Sequence, residues 1–211
     1  MPPPALSTEE IFPKIADKQR IVIAGSEGTG LLSSIMRHIL NFHKKPFDYF
    51  EKGQYNGMEG ASIALIVASE ALGKYNPIPD FRKFYHHIGV ICNIRHTPEN
   101  RFSSEDEYIR QYDLFADATP KGGILAYCEQ DPIATVLCNK ERPDVAYVPF
   151  KTHPHTSIDG RQFLLSSNKE KMPFNISENH NLQYVGGAKE VLKRTGISSD
   201  QFYQGIVSFT G

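Results

Sequence analysis

Apolar positions fall along this chain in two rhythms that alternate. Short apolar runs at Ile21–Ala24, Ser62–Ala68 and Ile88–Ile94 read as buried strands, and Phe47–Phe50, Gly123–Tyr127 and Val145–Val148 read as further strands. Between them lie segments with helical spacing. Thr8–Ala16 opens with Ser7 or Thr8 as cap and Glu10 placed for a capping box. Leu31–Phe42 puts Leu31, Leu32, Ile35, Met36, Ile39 and Leu40 on one face. Ser103–Ala116 does the same with Tyr108, Tyr112 and Phe115, and Asp131–Asn139 carries Pro132 at its first position. The pattern then changes. Thr156–Ile158 and Gln162–Leu165 flank Asp159-Gly160, a strong hairpin signal, and Met172–Ile176 is placed to pair beside them. Helices His180–Arg194 and Ser198–Phe209 close the chain, with Gly196 as the glycine between them. Glu51–Gly60, with three glycines, reads as a loop. The expected fold is α/β: a mainly parallel, P-loop-like sheet with helices on both faces, plus a small antiparallel hairpin patch near residues 156–176.

Composition narrows the function classes. The chain has 211 residues, a length suited to one domain, here with residues 1–18 as a helical lead-in. Its 23 basic and 24 acidic side chains give a net charge of −1, so no basic surface is expected for nucleic acid or an anionic membrane. The longest apolar run, Ile63–Ala68, is far short of the ~18 residues of a bilayer span, and the start Met1-Pro2-Pro3-Pro4 lacks the pattern of a secretory signal. Three cysteines, Cys92, Cys128 and Cys138, without a C-x-x-C pair, read as reduced thiols in a cytoplasmic protein.

The candidate chemistry sits at Gly25-Ser26-Glu27-Gly28-Thr29-Gly30, between the first strand and a helix. Free N–H groups of such a loop and the helix N-terminus can cradle phosphate. A phosphate loop also needs a lysine for the β/γ-phosphates and a hydroxyl for Mg²⁺. Here Thr29 stands at the lysine position and Gly30 at the hydroxyl position, while Glu27 adds a negative charge. Two readings stand: a phosphate cradle, or a tight turn that holds no ligand. A dinucleotide site, with Asp48 or Glu51 as the ribose acid, is a further alternative.

Gln19-Arg20-Ile21-Val22-Ile23-Ala24-Gly25-Ser26 resembles the opening of the ATP-binding central domain of the Mur ligases, near the muramate–L-alanine and muramyl-tripeptide-recycling branch. The resemblance continues in order through Ile88–Ile94, Phe102–Phe115, Lys121–Tyr127, His180-Asn181-Leu182-Gln183 and Gly196–Gly211. It implies an ATP- and Mg²⁺-dependent carboxylate–amine ligase acting on a peptidoglycan precursor. It also implies adenine contacts at His180 and Asn181, and flanking UDP-binding and C-terminal domains, which are expected to be absent here. The departures share a direction. The loop lysine is Thr29, the acidic metal-binding stretch is Val67-Ala68-Ser69-Glu70, the D-H pair falls on Thr97-Pro98, and Tyr184 replaces the second asparagine of H-N-x-x-N.

The expectation is a degenerate central domain acting as a binding or interaction module for an unidentified protein or small molecule. Glu70 and His96 remain as candidate catalytic residues, and Gly25, Ser26, Gly28, Thr29, Gly30, His180 and Asn181 as a nucleotide-site remnant. No metal or cofactor is expected unless the ligase is active, in which case ATP and Mg²⁺ would be held with Glu70, Glu99 or His96 as relocated ligands. His180 also suits an N-cap or the edge of the core. His153-Pro154-His155 forms half a metal site at most, and His86-His87 face apart on a strand.

Overall fold

The computed structural model describes residues 6–73, 76–174 and 181–211. A seven-stranded sheet forms the centre. Its strands are β1 (Gln19–Ala24), β2 (Asp48–Glu51), β3 (Gln54–Asn56), β4 (Ile63–Val67), β5 (Ile88–Ile91), β6 (Ile124–Cys128) and β7 (Ala146–Phe150), in the order β3-β2-β4-β1-β5-β6-β7. Every pairing is parallel except β2 with β3. In register, Ile21 lies between Leu65 and Ile88, and Val90 faces Ala126.

Helices cover both faces, which is why the strands read as unbroken apolar runs. On one face Ile21 and Ile23 pack with Leu32, Ile35, Met36 and Ile39 of α2 (Thr29–Phe42), with Val185, Ala188 and Leu192 of α5 (Leu182–Lys193), and with Phe202 and Ile206 of α6 (Ser199–Ile206). On the other, Val22 and Ala24 meet Ile11 and Ile15 of α1 (Thr8–Ile15), Tyr108, Tyr112 and Phe115 of α3 (Glu105–Asp117), and Ala134 of α4 (Pro132–Leu137). Phe81 and Phe84, in the crossover from β4 to β5, complete that layer. The lead-in is pinned by buried Arg20, whose guanidinium donates to the carbonyls of Ala16 (2.6 Å), Phe84 (3.0 Å) and Tyr85 (3.0 Å).

Three boundaries differ from the sequence reading. Glu51–Gly60 is not all loop: Lys52 (φ 49°) and Gly53 (φ 77°) turn the chain back so that β3 pairs with β2. β5 ends at Ile91 rather than Ile94, because the Ile94 N–H is taken by Asp131 Oδ2 (2.8 Å) instead of a neighbouring strand. α6 stops at Ile206, short of Phe209. The expected start of the preceding helix at His180 lies outside the described residues; the described helix begins at Leu182.

The antiparallel patch forms as expected over its described residues; Asn175 and Ile176, the expected end of its third strand, lie outside them. β8 (His155–Ile158), β9 (Arg161–Leu165) and β10 (Lys171–Phe174) lie in the order β10-β9-β8. Asp159 and Gly160 both take positive φ in the hairpin turn. His153 ties this sheet to the helices: its N–H donates to the Leu182 carbonyl and its Nε2 accepts from Tyr203 Oη (3.0 Å).

Candidate functional site

The loop after β1 sits where the chain's crossovers diverge. The connection from β1 runs over the α2 face, and those from β4 and β5 run over the opposite face, the place where open α/β sheets bind ligands. Gly25 takes φ 152°, and a Cβ there would also meet Cys92 Cβ at 2.8 Å. Gly28 takes φ 78° as N-cap of α2, and a Cβ on it would fall inside the Tyr184 ring. Both glycines are therefore required by packing, whereas Gly30 faces open space.

Each residue between them is held from a different side. The Glu27 N–H donates to Asn93 Oδ1 (2.7 Å), and its carboxylate pairs with Arg95 at 2.7 Å on the surface. Ser26 Oγ accepts from the Arg95 N–H (3.0 Å) and shares its own proton between the Arg95 carbonyl (2.9 Å) and Glu70 Oε2 (3.1 Å). That same Glu70 oxygen accepts from Tyr108 Oη (2.6 Å) and Tyr112 Oη (2.9 Å). Burial first, and the Glu70 carboxylate next for Tyr108, push both phenols well above the ordinary tyrosine value, so they stay protonated donors. Glu70 thus ties the tips of β1 and β4 to α3.

Two clefts flank this loop. The larger, about 730 Å³, opens beside β1, β2 and β4 and is lined by Ser26, Thr29, Gly30, Glu70, Lys52 and Arg101 among others. The smaller, about 270 Å³, opens beside β5 and β6 and is lined by Asn93, Asp131, Gln183 and Tyr184, with Cys92 and Cys128 at its base. Tyr184 is buried between loop and helix, and burial raises its phenol to about 12. The thiols of Cys92 and Cys128 are pushed up by burial as well, which leaves them unreactive.

The structure gathers Gly25, Ser26, Thr29, Gly30 and Glu70 into the larger cleft and sets Gly28 under Tyr184. It does not place His96 there. That imidazole has its Nε2 toward the Phe102 carbonyl (3.4 Å) and its ring 5.7 Å from that of Tyr108. Glu99 is exposed and drawn below the usual carboxylate range by the Thr97 hydroxyl. Asn181 is the N-cap of α5, and His180 lies outside the described residues. Asp48 is buried at the far end of β2, accepting from Lys18 Nζ (2.6 Å), Tyr55 Oη (2.6 Å) and the Met58 N–H (3.0 Å), so it cannot serve a ribose at the loop.

The other histidines are engaged in the fold. His86 Nε2 meets Thr119 Oγ1 (2.9 Å), His87 Nδ1 accepts from the Arg20 N–H (3.0 Å), and His155 Nδ1 donates to the His153 carbonyl (3.0 Å). Among the described residues there is no group of three or more histidine, cysteine or acidic side chains placed to hold a metal ion. No helix of the described residues is long and apolar enough to cross a membrane.

Tyr108 and Tyr112 were visible in the sequence only as an apolar helix face. Their spacing of one helical turn is the signal that both hydroxyls can reach one acceptor. Nothing local marks Asn93, Asp131 or Arg95.

No family model matches the sequence. An uncharacterized protein of Methanothermobacter thermautotrophicus is 25% identical over 153 residues, covering 68% of this chain and 48% of its own length, so the chain spans about half of that curated relative. Solved structures agree far more extensively. The UDP-N-acetylmuramate:L-alanyl-gamma-D-glutamyl-meso-diaminopimelate ligase from Neisseria meningitides superposes over 97% of this chain and 69% of its own, with a TM-score of 0.81 at 11% identity. The MurF ligase from Thermotoga maritima in complex with ADP covers 96% of this chain and 51% of its own, with a TM-score of 0.75 at 11% identity. A pseudomurein peptide ligase type C from Methanothermus fervidus covers 96% and 52%, with a TM-score of 0.67 at 13% identity. The mainly parallel seven-stranded sheet, its two helical layers and the small antiparallel sheet are the Mur-ligase central-domain fold.

Proposed function

We propose that this chain is a Mur-ligase-like central domain that has lost ATP chemistry and acts, in the cytoplasm, as a binding or interaction module. The observation that carries the reading is the state of Glu70. The one carboxylate retained from the expected metal-binding stretch has an oxygen occupied by Tyr108, Tyr112 and Ser26. It works as an internal clamp on the loop. The residues present do not fit Mg·ATP. Thr29 offers no cation for a β- or γ-phosphate, the Glu27 carboxylate already occupies Arg95 beside the loop, and Tyr184 lies against Gly28. Phosphoryl transfer depends on charge neutralisation by positioned cations, and losing even one such group costs about 10²–10³ in rate. No step through ATP is therefore assigned.

Isothermal titration with Mg·ATP, paired with a phosphate-release assay in the presence of UDP-N-acetylmuramate and amino acids, tests this. No heat and no phosphate are expected. Micromolar binding accompanied by phosphate release overturns the reading.

A further inference from the structure

We propose that the outward face of the small antiparallel sheet forms a docking site for an extended, acidic segment of a partner protein. This rests on the reading of the chain as an interaction module and says where, and with what chemistry, it interacts.

The pairing register sorts the sheet into two faces. His155, Leu164 and Met172 stand in one row, and Ser157, Gln162 and Phe174 in the next. Leu164, Phe174 and Met172 from these rows join the main core. The opposite face carries Thr156, Phe163 and Pro173 in one row, with Ile158 opposite Arg161 and Leu165 opposite Lys171. Phe163, Leu165 and Ile158 belong to neither hydrophobic core, and Ile158 is 38% exposed. A sheet that buries one face ordinarily alternates apolar-in with polar-out. This one keeps Phe163, Ile158, Leu165 and Pro173 on its outer side.

Charge identifies the occupant. Arg161 and Lys171, both exposed, flank the apolar strip on that face. The acids Glu170 and Asp200 line a small cleft on the inward side, and Asp159 sits in the turn beyond the strip. The outer face therefore presents apolar surface between two cations, complementary to a segment that alternates apolar and acidic side chains.

An anionic membrane is the weaker match, since electrostatic capture by lipid uses clusters of about 4–8 cations.

The intact chain is titrated with a short fluorescent peptide alternating glutamate with valine and isoleucine, and with its lysine-for-glutamate counterpart. Amide chemical shifts are followed, with and without Mg·ATP. The acidic peptide is expected to bind, to shift amides of residues 155–173, and to do so equally in both conditions. Binding should weaken at least about tenfold in Arg161→Glu/Lys171→Glu, which should instead take the lysine peptide. Phe163→Ser should weaken both peptides. All three positions are at least partly exposed, so parental melting temperatures are expected.

Four results overturn the proposal: no shift with either peptide, binding indifferent to the charge reversal, capture of phosphatidylglycerol vesicles but of neither peptide, or concentration-dependent self-association that buries these amides. Mg·ATP hydrolysis alongside intact acidic-peptide binding would overturn the loss of ATP chemistry and leave the docking site standing.

Discussion

Replacing Glu70 by alanine tests whether this carboxylate is a clamp or a reacting group. A hydrogen bond to a charged acceptor contributes about 1.5–3 kcal/mol, and a buried hydroxyl left without a partner costs about 1–3 kcal/mol. Ser26 loses little, because the Arg95 carbonyl at 2.9 Å accepts its proton instead. Tyr108 and Tyr112 are fully buried; in the variant Tyr108 turns to Ser26 Oγ at 2.9 Å, which leaves Tyr112 with only a long 3.3 Å contact to Tyr108, so one hydroxyl is poorly satisfied. The expected loss is therefore about 2–4 kcal/mol, read by urea unfolding at pH 7. Glu70→Gln keeps an acceptor oxygen and should lose about half as much. Adding Tyr112→Phe to the alanine variant removes a phenol that has lost its carboxylate and should restore about 1 kcal/mol. Phosphate release should stay at background in every variant. An alanine variant as stable as the parent, or a double variant less stable than the single, would refute the clamp.

Acid should destabilise the fold through two histidines that are buried neutral. Burial lowers His86 to about 3 and His153 to about 4, against 6.5 unfolded. Between those values the unfolded chain binds protons that the folded chain does not, so stability falls as pH drops below about 6.5, by about 2 kcal/mol per histidine at pH 5. A flat urea midpoint from pH 7.5 to 5 would contradict the assignment for both (about 4 kcal/mol together). Gly28→Ala meets both the Tyr184 ring and a positive φ and should cost about 2–4 kcal/mol, whereas Gly30→Ala, in open space near the start of α2, should be neutral or stabilise by about 0.5 kcal/mol; thermal melts of the pair check this. Arg20→Met strands the carbonyls of Ala16 and Phe84, at an expected cost of about 3 kcal/mol. Hydrogen exchange should then accelerate selectively in residues 8–16.

β1, β4 and β5 were legible because each is buried on both faces, so their apolar runs survive without any knowledge of partners. β3 escaped notice because it has three residues, and its turn places a lysine, Lys52, in the left-handed region where asparagine or aspartate would have given the signal. The site was half legible. Glu70 and the loop glycines stood out as residue types in a pattern, but the groups that decide what they do arrive from α3, α5 and the segment after β5. His96 is the converse case: just past a strand end, its imidazole lies toward the Phe102 carbonyl and the Tyr108 ring and lines neither cleft beside the loop. Tyr184 read as a lost asparagine, and only the fold sets its ring against Gly28.

The position of β1 at the middle of the sheet bears on how the chain is made. Gln19 waits for Ile63, and Ile21 for Ile88, before the strand has both neighbours. During synthesis its apolar residues emerge early and stay half-paired while many further residues are added. Such non-local parallel pairing is slow to form and leaves hydrophobic edges open meanwhile. Chains cut shortly before β5 should consequently collect in aggregates or on chaperones, and those extended past Ile91 should begin to resist protease.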